Sequence, residues 1–156
     1  MDEEADRQPL DAFDRRILAS LARDGRLPVV ALAREIGLSK SPTQARLRRL
    51  ERAGYILGYR ALLDPEKLER DHVAFVEVRM TDTREAALSA FNAAVRAAPE
   101  IEQCHMIAGQ FDYLLKIRCR DMRAYRDILA EVVSNLPHVA ATSTHVSMQA
   151  VKDAVL

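Results

Sequence analysis

Residues 29–51, VVALAREIGLSKSPTQARLRRLE, constrain the fold most: a short apolar helix, a Gly-Leu-Ser corner and a second, arginine-rich helix follow one another without interruption. Leu32 and Ile36 stand one helical turn apart and share a face. Gly37 supplies the left-handed residue that a tight helix-to-helix corner needs, and Leu38 is placed to plug it. Ser41 followed by Pro42 is a start signal for the next helix, in which Leu47, Leu50 and the Ala53-Gly54 end mark the buried side. This order describes a helix-turn-helix, and the partner it predicts is double-stranded DNA.

The flanking residues extend the motif. Asp11 is a cap for an earlier helix, Asp14 adds negative charge in its first turn, and Phe13, Ile17, Leu18 and Leu21 recur at helical spacing. Asp24-Gly25 stops that helix, and Pro28 suits the first position of the second. On the third helix the residues off the Leu47/Leu50 stripe form a cationic surface. Ser39, Lys40, Ser41, Pro42, Thr43 and Gln44 lie before or in its first turn, where a recognition helix meets base edges. Arg48 is the candidate for bidentate reading of a guanine, whereas Arg46, Arg49 and Arg52 are assigned to phosphates. A solvated arginine face on a purely structural helix is the competing reading. Gly54 to Arg60 is expected to form a short β-ribbon or wing, or else a plain connecting strand, with Tyr59 and Arg60 as candidate DNA backbone contacts.

A formal net charge of zero conceals an uneven distribution. Residues 7–64 hold 12 Lys or Arg against 6 Asp or Glu, and residues 65–156 hold 11 against 13. A basic module joined to a slightly acidic one is the footprint of a DNA reader attached to something else. With 49% hydrophobic residues and 29% charged, the chain belongs among soluble globular proteins. Residues 1–6 are acidic and lack the basic start and apolar run of a secretory signal, and no stretch approaches the roughly 20 apolar residues of a membrane span. A cytoplasmic, nucleoid-associated protein with no membrane partner is expected. Cys104 and Cys119 lack metal-binding spacing and are read as buried structural thiols, and His72, His105, His138 and His145 are too scattered for ligands, so neither metal nor cofactor is expected.

After a connector at residues 65–71 the periodicity changes. Strands are predicted at 73–80, 101–108, 113–119 and 139–148, and helices at 84–98 and 121–135. The order βαββαβ is that of a ferredoxin-like unit, so the fold class is α+β: a winged helix-turn-helix over residues 7–64, then a ferredoxin-like effector and oligomerisation domain over residues 72–153. Such a unit leaves one sheet face uncovered, and a second copy is the simplest cover, which predicts a homodimer. No catalytic motif is visible, so sensing is expected rather than an enzyme activity. The hairpin 109–113 offers close-approach backbone at Gly109 and a carboxylate at Asp112, able to take the carboxylate and ammonium of an amino acid. An ordinary turn in which Asp112 caps its own backbone is the alternative.

The segments LDAFDRRIL, DGRLPVVALAREIGLS, RLRRLERAGYI, GQFDYLLK and TSTHVSM resemble, in that order, the Lrp/AsnC or feast/famine regulators, over almost the whole chain. The resemblance implies a winged helix-turn-helix, dimers that assemble further, commonly to octamers, and small amino acids bound between subunits. Gly109 and Asp112 match the family's Gly-x-x-Asp loop, which also contains Gln110 and ends at Tyr113, while Thr142 and Thr144 match polar positions lining the same cleft. The stretches 101–126 and 136–153 resemble a proline-responsive subgroup, which makes proline the first expected effector. An effector-independent architectural protein that organises DNA is the alternative. Siroheme decarboxylases share the architecture but tend to carry degraded DNA-reading helices, and here that helix is strongly basic.

Overall fold

The computed structural model describes residues 9–152. Arg7 and Gln8 at one end of the expected domains, and Asp153 at the other, lie outside the described residues. The chain divides between Leu62 and Leu63 into two compact units.

The first unit holds α1 (Ala12–Arg23), α2 (Val29–Ile36) and α3 (Lys40–Arg52). Asp11 and Asp14 form a reciprocal capping box at the start of α1: each carboxylate accepts the other's backbone N–H, at 2.9 and 3.1 Å. Pro28 precedes α2 as its cap instead of opening it, since its extended ψ of 144° lies outside the helical region. Gly37 takes φ +79°, which turns the chain into α3 within three residues. Ser39, not Ser41, caps α3, so Pro42 falls within the first turn, where its missing N–H leaves no helical bond unmade. Gly54, at φ +74°, closes α3 in a Schellman motif, with Tyr55 N–H on Leu50 O at 3.0 Å and Gly54 N–H on Glu51 O at 3.1 Å. Ile17, Leu32, Ile36 and Leu50 are buried together, and Leu18, Leu21, Leu38, Leu47 and Ile56 pack around them. Phe13 differs from expectation: it lies under the guanidinium of Arg46, 5.5 Å from its ring centre.

The expected ribbon over residues 54–60 is not formed; that stretch joins no β-ladder among the described residues. Positive φ at Gly54 and Gly58 breaks the extended run, and Tyr59 is held by its hydroxyl on Glu51 of α3 at 2.9 Å.

The second unit runs β1 (His72–Met80), α4 (Glu85–Ala97), β2 (Ile101–Met106), β3 (Tyr113–Cys119), α5 (Met122–Glu131), a 3-10 turn (Val133–Asn135) and β4 (Val139–Val146). The antiparallel sheet has the order β2-β3-β1-β4, the ferredoxin-like arrangement. Alternation along the strands sends Ala74, Val76, Val78, Leu115 and Ile117 into one core with Phe91 and Val95 of α4 and Tyr125 of α5. Phe75, Glu77, Leu114 and Lys116 occupy the opposite face. Tyr113 belongs to the core as well, 2% exposed with its ring 4.4 Å from that of Phe91.

Candidate functional site

Helix α3 presents three stripes. Thr43, Leu47 and Leu50 face inward; Thr43 is fully buried and its Oγ1 donates to Ser39 O at 2.9 Å, so it is not the base-reading residue that the sequence suggests. The correction follows from helical spacing: Thr43 stands four residues before Leu47 and seven before Leu50, on the same face.

Arg46 and Arg49 form a second stripe turned toward α1. Arg46 Nη1 donates to Asp11 Oδ2 at 2.6 Å and to Asp14 Oδ1 at 2.9 Å, and Arg49 Nη2 donates to Asp14 Oδ2. The Asp14 side chain is only 1% exposed. These two arginines, assigned to phosphates from sequence, are committed to carboxylates instead, because Asp14 is buried and needs compensating charge. Burial pushes the Asp14 carboxyl up, but the hydrogen bonds from Arg49, the Asp11 backbone and Arg46 outweigh it and bring its pKa from 3.8 down to about 2. A lowered carboxylate pKa stabilises the folded state above the unfolded value, here by about 2 kcal/mol, and the contribution is lost as pH falls through about 2. The first unit's melting temperature is therefore expected to lose this contribution below about pH 4. Asp14→Asn should flatten that part of the profile; an acid limb unchanged by the substitution would show that Asp14 is not its source.

The third stripe is Ser41, Ala45, Arg48 and Arg52, all exposed, with exposed Ser39, Lys40 and Pro42 at the amino end and half-buried Gln44 beside Arg48. Arg48 and Arg52 make no ion pair among the described residues, so their guanidinium donors remain for an external anion. The acid pair on α1 escapes the sequence reading, which takes Asp14 as a helix-dipole residue. The available signal is a carboxylate pair at i, i+3 on one helix facing an arginine pair at i, i+3 on another.

In the second unit, Gly109 and Gln110 are exposed at the β2–β3 hairpin. A Cβ at Gly109 would meet only Ile107 Cγ2, at 3.5 Å, so nothing within the chain demands glycine there. Asp112 neither caps its own backbone nor stands free. Its Oδ2 accepts Met80 N–H at 2.7 Å, at the register shift between Arg79 and Met80, and its own N–H donates to Val78 O at 2.9 Å. One oxygen of the carboxylate thus fixes the end of β1. Thr142 pairs with Val78 from the opposite side and is exposed. Across the sheet Val78 is thus flanked by Tyr113 of β3 and Thr142 of β4, and Asp112, one residue before Tyr113, reaches Val78 through its backbone N–H. Thr144 is half-buried with its hydroxyl bonded to that of Tyr125. Tyr113, an effector residue by its place in the sequence, is turned into the core by its inward register; its hydroxyl is buried near Asn92, and burial raises its pKa.

Cys119 is buried as expected, whereas Cys104 is only half-buried; burial raises the pKa of both thiols. All four histidines are exposed, and His145 Nε2 lies 3.2 Å from Glu77 Oε1. Among the described residues no helix is long and apolar enough to cross a membrane, and no group of three or more His, Cys, Asp or Glu is placed to hold a metal ion.

Two family descriptions match this architecture: a winged helix-turn-helix DNA-binding module over residues 10–56, and the Lrp/AsnC ligand binding domain over residues 73–155. The chain belongs to the Lrp/AsnC family. This Lrp/AsnC protein is 58% identical over 144 residues to the proline dehydrogenase transcriptional activator of Rhizobium radiobacter, spanning 92% of each chain. It is 47% identical to the leucine-responsive regulatory protein of Salmonella typhimurium over 92% of its own length and 87% of that protein's. Among solved structures, an L-Met complex of a transcriptional regulator from Neisseria meningitidis superposes with a TM-score of 0.86 at 33% identity, covering 93% and 94% of the two chains. The Lrp/AsnC ligand binding domain thus spans the hairpin 109–112 and β4, the segments that carry Asp112 and Thr142.

Proposed function

We propose that the protein is a transcription regulator that reads duplex DNA with α3 and changes its DNA-bound state when a small amino acid, proline first among candidates, occupies the second unit. The observation that carries this reading is the segregation of α3, which keeps Arg48, Arg52 and Lys40 outward while its other arginines are spent on α1. Ser39, Ser41, Pro42 and Gln44 surround that stripe as the base-facing set, and Arg48 and Arg52 contact DNA. The 58% identity to activators named for proline dehydrogenase supports genes of amino-acid metabolism as targets and proline as the effector.

In the second unit Asp112 Oδ1 takes the ligand's ammonium, and the exposed backbone at Gly109 and Gln110 takes its carboxylate. The chain by itself leaves this hairpin open to solvent, which supports a site completed by a second copy. We therefore assign a cytoplasmic homodimer that assembles further, toward an octamer, with bound ligand favouring one assembly by its differential affinity.

The test is DNA binding to the region upstream of its own or a neighbouring gene, with and without proline, across a salt series. Sequence-selective binding that weakens by orders of magnitude over a few-fold rise in salt is expected, with a shift on adding proline. Binding without selectivity or salt dependence would overturn the DNA reading. Selective binding indifferent to every common amino acid would leave the architectural alternative.

A further inference from the structure

The charges on α3 are not all equivalent. Five cationic residues lie on this helix, Lys40, Arg46, Arg48, Arg49 and Arg52, and two of them are held against α1 by a carboxylate pair that sequence alone does not connect to DNA. The hold is many-sided. Asp14 is buried and bridges Arg46 and Arg49; Asp11 adds a second contact to Arg46; the Phe13 ring lies beneath the Arg46 guanidinium. Both carboxylates are themselves fixed by the capping box, so neither can swing away without undoing the first turn of α1.

We propose that Asp11 and Asp14 are specificity-determining residues: by holding Arg46 and Arg49 they fix the rotation of α3 that presents Arg48 and Arg52, and they withhold two positive charges from sequence-independent phosphate contact. This rests on the proposed reading that α3 binds DNA.

The physical consequence concerns non-operator DNA. Binding to phosphates alone gains with every cation released to them, and each phosphate neutralised adds about 0.9 to the slope of log affinity against log salt. Base-edge contacts carry no such general gain. A helix with every arginine free would hold any duplex more tightly, and the ratio of operator to non-operator affinity would fall. Pairing two arginines internally keeps the helix basic enough to dock while limiting that sequence-independent attraction.

The test uses the full-length chain, an operator recovered from a randomised duplex pool with the wild-type protein, and a scrambled duplex of equal length. Asp11→Asn is the first variant, because asparagine is as good a helix cap as aspartate and Asp11 is exposed. Asp14→Asn is the second, and Arg46→Gln the third. Melting curves establish that each is folded; should Asp14→Asn fail to fold, Asp11→Asn and Arg46→Gln decide alone. Asp11→Asn is expected to bind the scrambled duplex more tightly, by up to about eightfold at 0.1 M salt, with a slope steeper by up to about 0.9, which is one counterion's worth. Its operator affinity should rise less, so selectivity drops. Arg46→Gln should keep the wild-type slope. The proposal is overturned if Asp11→Asn leaves slope and scrambled-duplex affinity unchanged, or if Arg46→Gln lowers the slope by about one unit. A wild-type protein without salt-dependent binding would instead remove the DNA reading itself, so the two failures are distinguishable.

Discussion

Arg48→Ala is expected to weaken operator binding by about 1–3 kcal/mol, roughly 5- to 150-fold, while proline binding and melting temperature stay at wild-type values. The reason lies in what Arg48 does not do in the free protein. It is exposed, it lies on the stripe with Arg52 away from the α1 contact, and no carboxylate among the described residues holds it. Truncating a surface side chain of this kind usually changes stability by no more than about 0.5 kcal/mol, so the DNA effect is not a folding effect in disguise. If Arg48 reads a guanine, the loss falls on one operator position and selectivity there relaxes; if it holds a phosphate, affinity falls equally for all sequences and the salt slope drops by about one. Competition between operator variants separates the two. Unchanged operator affinity in Arg48→Ala would mean that α3 does not dock through this stripe.

The contrast between Arg48 and its neighbour Arg46 marks where sequence reading stops. Helical periodicity is enough to place Leu47 and Leu50 inward, and it correctly separates both arginines from that stripe. It cannot say which arginine faces α1, because that depends on how α1 packs against α3, a contact 32–35 residues apart in the sequence. For Thr43 the same periodicity is sufficient, since it stands four residues before Leu47 and seven before Leu50 and so falls on their buried stripe. The ferredoxin-like order is legible for a different reason: β1 and β3 alternate apolar residues against one core, and α4 and α5 repeat theirs at helical spacing, so each element declares its own type. The failures in that unit lie at register. Tyr113 follows directly on Asp112, and whether it points to a cleft or to Phe91 is decided by pairing with Val78, a partner 35 positions away in the sequence. The Met80 N–H that Asp112 accepts lies just past the last β1–β3 pair, Val78 with Tyr113, an end that no local pattern announces. The ribbon expected after α3 fails for a third reason, since a two-stranded ribbon needs a second strand and residues 54–63 supply no paired one.

Asp112→Asn and Asp112→Ala are expected to differ, and the difference separates a ligand-binding role from a structural one. The carboxylate has two duties on two oxygens: Oδ2 satisfies the part-buried Met80 N–H, and Oδ1 is the group proposed to meet the ammonium of the effector. Asparagine retains an acceptor oxygen for Met80 but loses the charge, so Asp112→Asn should melt near the wild-type temperature while proline binding falls by about 1.5–3 kcal/mol, the worth of a charge-assisted hydrogen bond. Alanine loses both. Asp112→Ala should show the same loss of proline binding and, in addition, about 1–3 kcal/mol of destabilisation from an unpaired N–H at the end of β1. Calorimetric titration with proline and thermal melting of both variants give the four values needed. Proline binding that survives in Asp112→Asn but not in Asp112→Ala would assign Asp112 to holding the hairpin against β1 and would move the ammonium partner elsewhere. Loss in both, with only alanine destabilised, is the outcome expected of a carboxylate that reads the effector while pinning the strand beside it.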